Sequence, residues 1–151
     1  VYGAGRLAGS YDNINSAVIA ANSNYGYVKD YNNKLVWTKY KTTTGQIKGI
    51  TPSSADFGGI YQGGEAVVKS YIGDVDNLKK ITLKGVSYET VLPYISRGKP
   101  VLAKTANGYV IITAYDATSV TYLGSGKEIN ITTTDAAKLF TQGGTLYVTF
   151  Y

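Results

Sequence analysis

The strand-rich last third of the chain constrains the fold more than any other feature. Five short stretches rich in β-branched, aromatic and aliphatic residues, at 100–104, 109–115, 120–123, 128–131 and 145–151, are separated by Asn107-Gly108, Asp116-Ala117, Gly124-Ser125-Gly126 and one helical segment. Strands of this length joined by turn-forming pairs read as consecutive hairpins. The helical segment covers 135–141: Thr134 is placed to cap it, Asp135 suits the positive end of the helix dipole, and Leu139 and Phe140 would pack on the sheet.

The region before it is helical and mixed. Residues 11–39 read as one unit, with Asp12 as N-cap and Ile14, Ala17, Val18 and Ala21 at helical spacing, which predicts a helix over 13–22 ended by Asn22-Ser23-Asn24. Alternating stretches at 25–29 and 34–39 flank the turn residues Asp30-Tyr31-Asn32-Asn33 and predict a β-hairpin. Residues 40–60 hold Ile47, Ile50 and Phe57 among Thr, Gly, Ser and Pro without a sustained period, as an ordered loop or inner linker does. A helix is predicted over 62–72, with Ala66, Val67, Val68 and Tyr71 on its apolar face and Gly73 as its stop. A short strand at 80–83 follows, then a helix capped by Ser87 that carries Val91, Leu92 and Ile95 and is distorted by Pro93. Helices early and strands late predict an α+β domain, helices packed on a twisted, mainly antiparallel sheet. At 151 residues the whole chain, 1–151, suits one domain, and no internal repeat divides it.

Composition removes several kinds of chemistry. With Cys 0 and His 0 there is no thiol nucleophile, no imidazole base and no Cys/His metal site. The carboxylates show one close pair, Asp74-Val75-Asp76, which lacks the Gly and the bidentate Glu of a calcium-binding hand and reads as a solvated turn. Gly3-Ala4-Gly5, Gly58-Gly59 and Gly63-Gly64 are turns, since no Gly-Lys-Ser/Thr follows them to make a phosphate loop. No metal or other cofactor is expected. The net charge is +5, but the lysines are scattered and Arg6 and Arg97 are the only arginines, so there is no nucleic-acid footprint. Such a charge is that of a solvated surface with a slight basic excess, and anionic wall polymers are the specific partner it would suit.

No apolar run approaches the roughly 20 residues of a membrane span; Tyr109-Val110-Ile111-Ile112, for one, is strand-sized. With Met 0, initiator included, the chain reads as a mature or excised piece, from which a signal peptide could have been removed. Freedom from Cys, Tyr 15 and a Lys-, Thr- and Asn-rich make-up lean towards the exported surface proteins of bacteria that do not rely on disulfides. Trp37 and the tyrosines could stack on sugars, although strand and core packing is the more ordinary use of such rings.

A set of ordered motifs adds to this reading. Gly98-Lys99-Pro100-Val101 opens one strand, Gly108-Tyr109 opens the next and Ala114-Tyr115-Asp116 ends it; Tyr122-Leu123-Gly124-Ser125, the helix around Phe140 and Gly143-Gly144 follow. In order and spacing these resemble the G-x-P-V, G-H, G-Y-D and D-P motifs of the papain-like cysteine peptidases that process bacteriocin leaders at double-glycine sites, and of their bacterial surface relatives. Phe57-Gly58-Gly59-Ile60-Tyr61 and the helix after it are similar to the segment before that family's capped helix. The resemblance spans 57–151 as a peptidase-like core and, more loosely, the 11–39 helix-hairpin unit ending in Lys34-Leu35-Val36-Trp37. It implies a papain-like fold in which helix 62–72 packs across a central strand opened by Tyr109.

The departures from the family are at the catalytic positions. Tyr109 stands where the family has its His, and a phenol with a pKa of about 10 is no substitute for imidazole near neutral pH. Gly124 stands in the place of the orienting Asp, and the nucleophile either falls on Gly64 or belongs to a segment deleted within 40–60. The resemblance therefore implies a non-catalytic domain, not an enzyme, of a secreted protein of a Gram-positive cell wall or surface layer. Its relic groove would offer Tyr61, Glu65, Tyr109, Tyr115 and Asp116 to a cell-wall polymer, peptidoglycan or teichoic acid, or to another surface protein. Tyr109 is expected to plug that groove, its hydroxyl reaching a neighbour or water. The competing expectation is a hydrolase using Ser, Lys or carboxylates, although no Ser lies in a nucleophile-elbow context.

Overall fold

The computed structural model describes residues 2–3, 6–7, 9–23, 26–33, 35–39, 44–73 and 77–150. Four α-helices, α1 (Ile14–Ser23), α2 (Tyr61–Ile72), α3 (Leu92–Ser96) and α4 (Thr133–Gln142), pack with two sheets. The smaller sheet has the order β2-β1-β3-β4, built from β1 (Tyr2–Gly3), β2 (Arg6–Leu7), β3 (Tyr27–Lys29) and β4 (Leu35–Thr38). The larger is made of β5 (Gly45–Gln46), β6 (Lys80–Lys84), β7 (Val101–Thr105), β8 (Gly108–Tyr115), β9 (Ser119–Gly124), β10 (Lys127–Thr132) and β11 (Leu146–Phe150), in the order β10-β9-β8-β7-β11-β6, with β5 against β8. The strand pairings among the described residues are antiparallel, so the fold is α+β as the order of elements predicts.

Local turn chemistry sets the meander β7 to β10. Ser125 and Gly126 both have positive φ, 51° and 74°, the pairing that matches the twist of a two-residue hairpin between Gly124 and Lys127. At the β8–β9 turn Asp116 Oδ1 accepts from the Thr118 and Ser119 N–H groups at 2.8 and 2.7 Å, an Asx turn. After α4 the chain returns as β11, which slots between β7 and β6.

Period-2 alternation divides the core into two faces. Val101 and Ala103 of β7, Ile112 of β8 and Tyr147 of β11 enter the larger cluster, while Leu102, Ile111, Val148 and Phe150 enter a second one completed by Val68 of α2. Thus α2 covers one face of the sheet and lies against β7, β8 and β11, the arrangement expected for the 62–72 segment. On the other face α4 sets Phe140 among the rings of Tyr88, Tyr122 and Tyr147, with centroids 6.1, 6.5 and 6.1 Å away.

The helix-hairpin unit sends Ala17, Val18, Ala21, Val28, Val36 and Trp37 into that larger cluster, beside Ile81 and Leu83 of β6. Asn15 of α1 also pairs its side-chain amide with both backbone groups of Lys84, at 3.0 and 3.2 Å, so it occupies part of the open edge of β6.

Several local expectations are corrected, the first being that Gly63-Gly64, read as a turn, lies inside α2. The cap of α1 is Asn13, whose Oδ1 accepts from Ser16 N at 2.8 Å, and not Asp12. The cap of α4 is Thr132, whose hydroxyl accepts from Asp135 N, and not Thr134, because β10 runs directly into the helix. Ser87 makes no side-chain cap, and its segment is a 3-10 turn (Tyr88–Val91) followed by α3 with Pro93 in the first turn, where a missing N–H costs nothing. The 40–60 connection holds β5 and a second 3-10 turn, Pro52–Ala55. Residues 40–43, Ala4, Gly5 and Asp74-Val75-Asp76 lie outside the described residues.

Candidate functional site

The start of α2 meets the start of β8 through backbone. Gly58 and Gly59, with φ of 65° and 69°, turn the chain into α2, and the Gly59 carbonyl accepts from Tyr109 N at 2.8 Å. Gly108, φ 126°, comes so close that a Cβ there would stand 2.8 Å from Gly59 O. Left-handed backbone and the absence of a side chain are both required for this docking.

The junction places Tyr61, in the first turn of α2, edge-on against Tyr109, with ring centroids 5.5 Å apart at 65°. One turn along α2, Glu65 pairs with Lys69 at 3.2 Å. Lys80, at the start of β6, sets its ammonium 4.7 Å from the centre of the Tyr61 ring.

The Tyr61 hydroxyl is enclosed and completes no hydrogen bond of normal geometry, although Glu65 and Lys80 flank it. Burial raises its pKa, and proximity to Lys80 offsets only part of that rise. Burial also pushes the Glu65 carboxyl up, but Tyr61, Lys69 and Lys80 together outweigh it and hold the group below the usual range. The Tyr61 hydroxyl beside Lys80 holds that ammonium above its usual range, against the effect of burial. Near neutral pH Tyr61 is therefore a neutral phenol, Glu65 a carboxylate and Lys80 an ammonium. A carboxylate stabilised in its charged form is a weak base, and the arrangement suits binding better than proton transfer.

The five candidate side chains do not form one groove. Tyr61, Glu65 and Tyr109 come together, but a bulge between Ile112 and Ala114 of β8 shifts the alternation. Tyr109 and Ile111 therefore face α2 while Tyr115 joins the opposite cluster. Asp116 holds the β8–β9 turn, and with Tyr115 it borders a separate cleft of about 250 Å³ against β5 and β10. A larger cleft of about 570 Å³ lies on another flank of α2, between Ala66, Ser70 and Tyr71 and the Gly49–Ile50 segment, with no charged residue in its lining. Sequence reasoning missed Lys80 and the Gly59 carbonyl, since neither belongs to a local pattern.

At the other candidate positions, Gly64 faces the sheet: a Cβ there would meet Leu102 Cδ1 at 2.4 Å and Phe57, not Tyr109. Gly124 lies beside the opening of β8, where a Cβ would meet Val110 Cγ1 at 2.9 Å. Trp37 is 1% exposed and so offers no stacking face, whereas Tyr31 is 90% exposed at the tip of the β3–β4 hairpin, with Lys79 5.3 Å from its ring centre. Among the described residues no cluster of three or more acidic, His or Cys side chains could hold a metal ion, and no helix is long and apolar enough to cross a membrane.

The Tyr109 ring packs half-buried on Tyr61, and its hydroxyl has no hydrogen-bond partner among the described residues. Tyr109→Ala is thus expected to lower stability by about 2 kcal/mol, less than a fully buried aromatic would lose. Tyr109→Phe is expected to change it by about 0.5 kcal/mol or less. Urea melts of the two variants check this; a loss for Phe equal to that for Ala would show that the hydroxyl, not the ring, matters.

No protein-family model, curated protein or solved structure matches the chain.

Proposed function

We propose that this chain is a papain-like domain without its catalytic residues, serving as a non-catalytic binding or structural module of an exported bacterial surface protein. The observation that carries the reading is the Tyr61–Tyr109 contact at the junction of α2 and β8. In the papain-like arrangement that the motifs resemble, the start of the central helix and the first residue of the facing strand hold the nucleophile and the base. Here two phenols meet in that place. The side of Gly64 is turned to Leu102, which favours loss of the nucleophile segment within 40–60 over a nucleophile position at Gly64. Lys69 and Lys80 give this mouth a positive lip, in keeping with the net charge of +5 and with anionic wall polymers as partners.

Two measurements on the purified protein test the reading. Incubation with peptides, double-glycine leaders included, is expected to give no hydrolysis. Sedimentation with purified cell walls is expected to give binding that is stronger with teichoic acid present and that weakens with salt, as screened attraction does. Hydrolysis abolished by changing one Ser, Lys or carboxylate would establish an enzyme instead, and failure to sediment with either wall would remove the wall as partner.

A further inference from the structure

We propose that the cleft bordered by β5, the β8–β9 turn and β10 is a binding site for a primary ammonium group, such as a lysyl side chain or the amine of a small ligand. This site is independent of the Tyr61–Tyr109 junction and does not rest on the papain-like reading.

The hydrogen bonds around the cleft leave two acceptor oxygens of its lining residues unpaired among the described residues. Asp116 Oδ1 is saturated: besides the Thr118 and Ser119 N–H groups it accepts from the Thr118 and Ser119 hydroxyls at 3.2 and 3.1 Å. Because the only proton of the Ser119 hydroxyl is directed to Asp116, its oxygen must accept from Asn130 Nδ2, 3.1 Å away. The same Nδ2 reaches Thr121 Oγ1 at 2.8 Å, which uses the second amide proton. The orientation of the Asn130 amide is thereby fixed, and its carbonyl oxygen is left without a partner among the described residues. Asp116 Oδ2 and the Gln46 amide are likewise unpaired. Two fixed acceptor oxygens, one carrying charge, therefore border a concave site of about 250 Å³ walled by Tyr115 and the exposed Gln46.

A cation is the matching ligand. Among the described residues no Lys or Arg lines the cleft. The donated hydrogen bonds depress its pKa, which keeps it ionised well into the acid range. An ammonium brings up to three donors and a positive charge. A calcium ion needs six to eight oxygens, far more than a single carboxylate and two amides supply. The chain's net charge of +5 opposes a cation at long range, but that opposition is screened beyond about 8 Å at physiological salt.

The probe is Nα-acetyl-lysine methyl ester, titrated against 15N-labelled protein, with its norleucine analogue, methyl glucoside and calcium chloride titrated separately. The expected result is a saturable shift of the Asn130 side-chain amide and the Thr118 and Ser119 N–H signals with the lysine ester alone. Asp116→Asn keeps an oxygen to accept from the two turn amides and removes only the charge. It is expected to lower Tm only slightly, with the fold retained, and to weaken binding at least tenfold; Asn130→Ala is expected to weaken it too. Equal binding by Asp116→Asn, an equal response to norleucine, a response to methyl glucoside or calcium in place of the lysine ester, or no saturable shift would each overturn the assignment.

Discussion

Trp37→Ala is expected to destabilise the protein by about 4 kcal/mol, near the top of the range for truncating a buried aromatic. The ring is 1% exposed, packed in the larger core cluster, and its Nε1–H donates to the Thr90 carbonyl at 2.8 Å across 53 residues of sequence. Two losses add: the cavity left by the indole, and a buried carbonyl without its donor. Trp37→Phe separates them, since a ring is retained while Thr90 O loses its partner, and a cost of about 2 kcal/mol is expected from that orphaned group and the smaller ring. Far-UV circular dichroism during urea unfolding reads both variants. In the unsubstituted protein the same tryptophan, the only one in the chain, reports on the helix-hairpin unit by its fluorescence. Since α1, β3 and β4 share a core with β6 and α3, the fluorescence and dichroism transitions are expected to coincide. A fluorescence transition at lower urea would show that the unit melts as a separate part, and a loss below about 1 kcal/mol for Trp37→Ala would mean that the indole is not buried.

The boundaries of β7, β8, β9 and β11 follow runs of β-branched, aromatic and aliphatic residues bounded by turn-forming residues, signals local to each segment, and this is why they were legible in the sequence. Helix caps were less so. Asp12 and Asn13 are both competent N-caps, as are Thr132 and Thr134, and only the course of the preceding chain decides which oxygen meets a free N–H. β5 is two residues long and has no period to read; it exists because β8 needs a partner beyond the end of β7. The bulge at Thr113 is a mismatch between β8 and β9, a property of the pair that the alternation of β8 alone does not carry. That single extra residue is what separates Tyr109 from Tyr115 and divides the expected groove into two sites. Lys80 reached the Tyr61 ring unannounced, because its position depends on β11 carrying β6 into place beside α2.

Gly143→Ala is expected to cost about 3 kcal/mol or more, the upper end for forcing extra volume into a packed interior. Gly143 has φ −79°, which any residue adopts, so no conformational preference demands glycine here. The demand is steric: a Cβ would stand 2.0 Å from the Lys104 carbonyl oxygen and 2.7 Å from Thr105 Cα. Both are backbone atoms of β7, and rotation of a side chain cannot relieve the contact. Either the end of α4 must lift, loosening Phe140 from Tyr88, Tyr122 and Tyr147, or β7 must move. Lys104 is paired with Tyr109 across β7 and β8, so the second response would disturb the Tyr61–Tyr109 junction as well. Gly144→Ala is the informative control, because that position has open space but a φ of 92°. It is expected to lose only about 1 kcal/mol, from backbone strain. For a chain of this size the Gly143 variant should melt roughly 6 to 12 °C lower. A midpoint for Gly143→Ala no lower than that for Gly144→Ala would mean that α4 does not end against β7 at this distance, and that the junction carrying Tyr109 is not braced from that side.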